Sequence, residues 1–325
     1  MAEQVAWIGL GNMGRGMVKN LVAKYPLQTP LIIYNRTQSR ASDVASTLTK
    51  PVTIAPTITE AVGSSTIIFI CLSDDNAVTE TLQTAVSTCN ISGKLFIDCS
   101  TVHPDTTRRA ANLVESHGGL FVACPVFGTP PVADAGQLIC VLAGKRELVE
   151  RVKPFCAGVM GRTNLDLSTS PTGGPTGNDD NDGGKEEPVV DPGRASLLKV
   201  LGNSLGLNMV DAVAEAMTVA EKSGLGVDAL HSFLELMYPG PYVAYSNRMR
   251  SGEYHRREEP LFAVDLARKD ARHAMDVASA VGVRMKGLEL ADGYLQGVKK
   301  HKGEKGDLAA IYGVVREEGG LKFEN

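Results

Sequence analysis

The chain has 325 residues, and its 33 Lys and Arg against 37 Asp and Glu give a formal net charge of −4. At about 100–200 residues per domain, that length makes two domains, each able to bury a core. Hydrophobic residues are 43% and charged residues 22%, a globular composition, and no positive excess is present to hold nucleic acid or an acidic membrane surface.

The first strand begins at Val5, which leaves no room for a leader, and the Lys-Phe-Glu-Asn end is no peroxisomal address; the expected location is the cytoplasm. Apolar runs at Val5–Leu10, Leu31–Asn35, Thr66–Leu72, Lys94–Ser100, Gly119–Pro125 and Leu138–Gly144 alternate with segments of helical periodicity. Near-continuous apolar strands separated by helices predict a parallel sheet covered on both faces, the doubly wound arrangement. None of these runs approaches the roughly 20 residues that span a bilayer. This first domain is expected over residues 1–167.

Residues 168–193 break the pattern with six Gly, four Pro and six acidic residues against one Lys. The segment carries the chain's negative charge and reads as a flexible insertion. It serves either as a lid or partner-binding tail or as a tolerated surface insertion, and the small closure cost of long loops favours the latter.

Residues 194–325 read as an all-helical domain opened by a long interdomain helix, Arg194–Ser223, whose apolar residues surround its axis, so that burial on all sides is expected. Gly202 and Gly206 lie four apart, where another backbone could approach. Further helices are expected at Gly226–Leu236, Tyr242–Arg250, Asp265–Val281 and Lys286–Lys300. The all-apolar helix also points to a homo-oligomer, a dimer or tetramer, packed through the C-terminal helices.

Six cysteines (Cys71, Cys89, Cys99, Cys124, Cys140, Cys156) form no C-x-x-C pair and have no close His, so no metal site or disulfide framework is expected. They read as small hydrophobes in strands.

Gly9-Leu10-Gly11-Asn12-Met13-Gly14 fits G-x-G-x-x-G between an apolar strand and a helix. That context lets the backbone approach a pyrophosphate at a helix N-terminus. The second strand ends Asn35-Arg36-Thr37, with no Asp or Glu to accept from a ribose 2′-hydroxyl. Asn35 and Thr37 can donate, and Arg36 can pair with a 2′-phosphate, so the expected cofactor is NADP(H). The first domain is therefore read as a Rossmann domain.

Together, the glycine motif, Asp98-Cys99-Ser100-Thr101, Pro125-Val126-Phe127-Gly128 leading to Ala135-Gly136-Gln137-Leu138, the Lys199 and Asn203 pair, and Lys269-Asp270 occur in the order of the β-hydroxyacid dehydrogenases, which the chain resembles over nearly its whole length. The family includes 3-hydroxyisobutyrate dehydrogenases and glyoxylate–succinic semialdehyde reductases. The resemblance implies that Lys199 is the catalytic general acid/base and that Asn203 orients substrate. Their i, i+4 spacing independently puts both on one face of an apolar helix, where desolvation lowers a lysine toward a proton donor's range. The bland alternative is a lysine that snorkels to solvent.

By resemblance, Ser100 and Thr101 lie beside the nicotinamide and hold the substrate carboxylate, a role compatible with helix capping before Pro104. Cys71, Leu72 and Ser73 pass near the cofactor ribose, and Lys269 and Asp270 sit on a helix that closes over the site, unless they are an exposed charge pair. Where the family has Pro-Val-Ser-Gly this chain has Phe127, which cannot donate to a carboxylate. Gly128 and Thr129 keep backbone N–H groups there, in a more apolar pocket. A milder departure is Ala195, where the family has a second glycine.

The expected activity is NADP-dependent interconversion of a small aldehyde or keto acid with its hydroxy acid. Two alternatives stay open: an imine reductase, whose relatives generally replace the lysine, and a non-catalytic interaction module.

Overall fold

The computed structural model describes residues 3–168 and 191–325, and the chain divides into two compact units, Met1–Lys199 and Val200–Asn325. Most of the acidic 168–193 segment lies outside the described residues.

In the first unit β1 (Val5–Ile8), α1 (Asn12–Lys24), β2 (Ile32–Tyr34), α2 (Gln38–Thr47), β3 (Thr53–Ile54), α3 (Ile58–Gly63), β4 (Ile67–Ile70), α4 (Asp75–Thr88), β5 (Leu95–Asp98), α5 (Pro104–Ser116) and β6 (Leu120–Ala123) alternate. The strands pair in parallel in the order β3-β2-β1-β4-β5-β6. The order reverses between β1 and β4, and the carboxyl ends at such a switch point are where open α/β sheets hold ligands.

Period-two alternation sends Trp7, Phe69 and Val122 into one buried layer and Ile8, Ile68, Ile70 and Phe121 into another. Trp7 stacks on Phe69 at 5.2 Å between ring centroids, and Phe155 meets Phe69 edge-on at 5.4 Å.

Beyond β6 come β7 (Val126–Phe127), α6 (Pro130–Asp134), β8 (Leu138–Gly144), α7 (Arg146–Cys156) and β9 (Gly161–Asp166). The parallel expectation holds through β6 and fails at β8, which runs antiparallel to both β6 and β7. The chain between β6 and β8 goes into a two-residue strand and a five-residue helix, which leaves no full crossover helix to bring β8 round in parallel. Strand β9 escapes a reading by hydrophobicity because one face is exposed and its residues are largely polar.

The six cysteines are free. Cys124, Cys140 and Cys156, which nothing in their spacing connects, come together in the core with their sulfurs within 4.8 Å of one another. The adjacent Cys124 thiol together with burial holds Cys99, Cys140 and Cys156 above the usual thiol range.

Helix α8 (Gly193–Lys222) crosses the division between the units, and its 30 residues match the predicted long helix. Asp191 anchors its start: its carboxylate accepts from Gly193 N at 2.8 Å and pairs with Arg108 Nη2 at 2.7 Å. Burial pushes Asp191 up, but these donors outweigh it and hold the carboxyl below the usual range.

In the second unit, α9 (Val227–Met237), α10 (Pro241–Arg250), α11 (Glu253–Arg256), α12 (Val264–Ala280), α13 (Lys286–Lys302) and α14 (Ile311–Glu318) pack with the rest of α8. Alanines 267, 271, 274 and 278 line one face of α12 and permit close helix packing against the core that holds Val210, Ala214 and Met217. Burial of α8 on all sides is not what the described residues show: Leu205 is 72% exposed and Val219 also faces out, because no described element covers that side. Among the described residues no atom outside its own helix turn lies within 4 Å of a Cβ built at Gly206, so no other described backbone uses the approach it offers. Among the described residues no helix is long and apolar enough to cross a membrane.

Asp211 on α8 is buried, and neither carboxyl oxygen has a hydrogen-bond partner among the described residues. Burial, with Glu215 nearby, pushes it up to about 8. A folded-state value above the unfolded one means that stability is lost as pH rises from the carboxylate range to about 8 and is level beyond it. Asp211→Asn removes that dependence. Its gain in unfolding free energy over the wild type is expected to grow by a few kcal/mol between about pH 5 and about pH 8. A gain that calorimetry finds equal at both pH values overturns the assignment.

Candidate active site

The three glycines of the first turn have separate tasks. A Cβ at Gly9, where φ is +100°, would lie 2.2 Å from the Cys71 carbonyl oxygen, and one at Gly14 would lie 2.3 Å from the Gly9 oxygen. At Gly11, by contrast, nothing lies within 4 Å. Two glycines thus pack β1 against β4 and α1, while the middle one opens onto free space at the start of α1. That helix has no acidic residue in its first turn, and its N-terminus therefore suits an anion such as a pyrophosphate. Leu10, Asn12 and Met13 are the other residues of this turn.

At the end of β2 the structure gives Asn35 a task that the sequence did not show. Its Oδ1 accepts from Leu10 N at 3.0 Å and its Nδ2 donates to Thr37 O at 3.0 Å, so the amide braces the glycine turn. Arg36 and Thr37 are the exposed side chains at this corner, and Arg36 makes no ion pair among the described residues.

The carboxyl ends of β4 and β5 are joined by buried polar groups. Leu72 N donates to Ser100 Oγ at 2.9 Å, and Ser100 N donates to Asp98 Oδ1 at 2.9 Å. Burial pushes Asp98 up to about 6, against the Ser100 hydroxyl and N–H, which pull it down. Cys71 is likewise driven up by burial, to about 12, and stays a thiol. Ser73 Oγ donates to Asp74, which caps α4. His103 N donates to Asp75 Oδ1 at 2.9 Å, fixing the turn that carries Thr101.

Lys199 is only 8% exposed, and its Nζ lies 4.6 Å from the centroid of the Phe127 ring. The ring face attracts the ammonium, so the lysine does not simply snorkel to solvent. One turn earlier, Ser196 Oγ lies 2.6 Å from Thr107 Oγ1, both fully enclosed, and this hydrogen bond ties the start of α8 to α5. Phe127 is fixed by its register opposite Ile139, and the chain continues through Gly128 and Thr129 into α6. Asn20 donates to the carbonyls of Gly16, Ala133 and Asp134 and so clamps α1 against α6.

In the second unit Asn203 Nδ2 donates to Asp270 Oδ2 at 2.7 Å, and Lys269 Nζ lies 3.2 Å from Asp270 Oδ1. Asp270 is buried and Lys269 half-buried, so they are not an exposed charge pair. The segment leading into their helix is held by Asp307, which accepts from Leu261 N at 2.7 Å and pairs with the buried Arg248 at 2.7 Å.

The family described as the NAD binding domain of 6-phosphogluconate dehydrogenase matches residues 4–164, and that described as the NAD-binding of NADP-dependent 3-hydroxyisobutyrate dehydrogenase matches residues 193–315. The NADH-dependent oxidoreductase ucdB of Aspergillus ustus is 35% identical over 96% of this chain and 98% of its own length. The chain belongs to the β-hydroxyacid dehydrogenase family.

The solved Mycobacterium tuberculosis 3-hydroxyisobutyrate dehydrogenase with L-serine superimposes with a TM-score of 0.76 at 22% identity, covering 97% of this chain and 100% of that one. An imine reductase from Myxococcus stipitatus in complex with NADP+ gives 0.59 at 17% identity, covering 95% and 98%. These two share the fold, a Rossmann domain followed by an all-helical domain. The protein is thus a nicotinamide-dependent oxidoreductase of the 3-hydroxyisobutyrate dehydrogenase family.

Reading the sequence of this β-hydroxyacid dehydrogenase missed Asn20, Asp98, Thr107, Ser196 and Asp307, which position site segments. Asp98 alone carried a signal, as an acid ending an otherwise apolar strand; the partners of the others are remote in the chain. Thr107→Val removes the buried partner of Ser196 and is expected to cost about 1–3 kcal/mol. The double variant with Ser196→Ala is expected to recover part of that loss. Additive losses in a denaturation cycle overturn the coupling.

Proposed function

We propose that this enzyme transfers hydride between NADP(H) and a small aldehyde or keto acid, with Lys199 as the general acid/base. The observation that carries this reading is the enclosed Lys199 ammonium on the helix turn that Ser196 and Thr107 tie down. The bound nicotinamide supplies or accepts the hydride. In the reducing direction Lys199 gives its proton to the carbonyl oxygen as charge develops there, and in the oxidising direction it takes the proton back from the hydroxyl.

The open Gly11 corner and the N-terminus of α1 hold the pyrophosphate, and Cys71, Leu72 and Ser73 border the ribose. In the first unit, substrate contacts are assigned to Ser100, Thr101, Phe127, Gly128 and Thr129; in the second, taken by itself, Asn203 and Asp270 carry the substrate assignment and Lys269 the cofactor one. The protein works as a homo-oligomer, a reading supported by the exposed Leu205 and by Leu236, which is 88% exposed. A monomer mass by light scattering overturns it.

Lys199→Ala is expected to lower kcat by about 10²–10⁴-fold with NADPH affinity nearly unchanged. Surviving turnover removes Lys199 from the acid/base role. NADP over NAD is supported by the missing carboxylate at the end of β2 and by the exposed Arg36, whereas the Aspergillus ustus relative is named for NADH. Arg36→Ala is expected to raise the KM for NADPH by about tenfold or more and to leave that for NADH almost unmoved. Wild-type preference for NADH assigns NAD instead.

Reduction of a C=N bond is the second reading, supported by the fold shared with an imine reductase and by the apolar Phe127. A cyclic imine turned over faster than every carbonyl in the same assay decides for it.

A further inference from the structure

We infer that the carbonyl compound this site takes is uncharged, an aryl- or alkyl-substituted aldehyde or ketone, and that Phe127 selects it over a keto or aldehyde acid. The inference rests on the hydride-transfer reading above and narrows its substrate class.

Distance decides what lies next to the carbonyl. A carbonyl oxygen that receives the Lys199 proton sits about 3 Å from Nζ. The Phe127 centroid is 4.6 Å from that same nitrogen, so a substituent on the ring side of the carbonyl carbon can reach the ring. An aromatic face carries negative charge density and attracts cations and apolar groups; a carboxylate laid against it is repelled. Phe127, Leu72 and Leu198 are three half-buried apolar side chains packed on one core cluster, and all belong to the first unit with Lys199.

The groups around this wall do little for an anion. Ser100 Oγ accepts from Leu72 N, and the hydroxyl also faces the buried Asp98, so its hydrogen bonding is turned inward. The Asp98 carboxyl behind it opposes a second negative charge. After Gly128 and Thr129 the chain enters α6 through Pro130 and Pro131, and neither proline has an N–H to offer.

Nor can the turn easily rearrange. Gly128 has φ +143°, and a Cβ there would lie 2.6 Å from Leu138 Cδ2, so the backbone path past Phe127 is fixed. A carboxylate turned against the ring face loses water to a surface that has no donor to give, whereas an uncharged substituent gains the ring.

The test uses matched pairs, succinic semialdehyde with butanal and phenylglyoxylate with benzaldehyde, for the wild type, Phe127→Ser and Phe127→Leu. Each is assayed with whichever of NADPH and NADH the wild type prefers. The wild type is expected to favour the uncharged member by about tenfold or more in kcat/KM, and Phe127→Ser to move that ratio toward the acid by a similar factor. Phe127→Leu keeps an apolar side chain and is expected to keep the preference, which separates selectivity from loss of fold.

Calorimetric binding of the same pairs to the enzyme–cofactor complex repeats the test without turnover. Absence of turnover on every carbonyl, with the uncharged compounds still binding more tightly, overturns the hydride-transfer reading and leaves this selectivity standing. Tighter binding or faster turnover of the acids by the wild type overturns the inference. So does a ratio unchanged by Phe127→Ser in a variant with wild-type Tm and cofactor affinity.

Discussion

The closeness of β1 to β4 at their carboxyl ends governs the first unit. With the Cys71 carbonyl 2.2 Å from where a Cβ would stand, position 9 accepts only glycine, and the chain leaves β1 by a turn that no other residue adopts easily. Everything at that edge follows from this turn. Trp7, fully buried, donates from Nε1 to the Gly9 carbonyl at 2.8 Å, and Gly14 packs against the same oxygen. Asn35 braces Leu10 from the side. The start of α1 is thereby aimed at open space, and a helix N-terminus aimed at open space is what an anionic cofactor needs.

Around this frame the site segments are held by buried polar contacts as well as by apolar packing. Ser100 joins β4 to β5, Thr107 holds Ser196, Asn20 holds the α6 turn, and Asp307 holds the approach to α12. Hydrogen bonds of this kind add only about 1 kcal/mol each, but leaving a buried partner unmatched costs more, so they discriminate among loop conformations more than they add stability. Loops that carry functional side chains on a rigid sheet depend on that discrimination.

Lys199 shows why a charged group in apolar surroundings is informative. Its helix turn carries the buried Ala195 and Val200 and its ammonium rests on an aromatic face, an arrangement that packing alone does not favour. The spacing of Lys199 and Asn203 on one helical face was legible in the sequence, and so was the break of pattern at Phe127. That these two departures from an ordinary core meet at 4.6 Å was not, because Phe127 and Lys199 are far apart in the chain and only the packing of α8 onto the sheet brings them together.

The sequence by itself determined the order of elements, the glycine turn, the missing acid at the end of β2 and the long helix, because each depends on local periodicity or on one residue's backbone freedom. It also determined that the cysteines lack a ligand spacing. Only the tertiary structure decided that β8 runs antiparallel, that three cysteine sulfurs meet in the core, that Asn35 serves the turn, and that Leu205 and Val219 on α8 stay uncovered in the single chain. Pairing direction, side-chain partners and solvent exposure are set by what lies across the sheet or beside the helix. Those neighbours come from remote parts of the chain, so no local pattern records them.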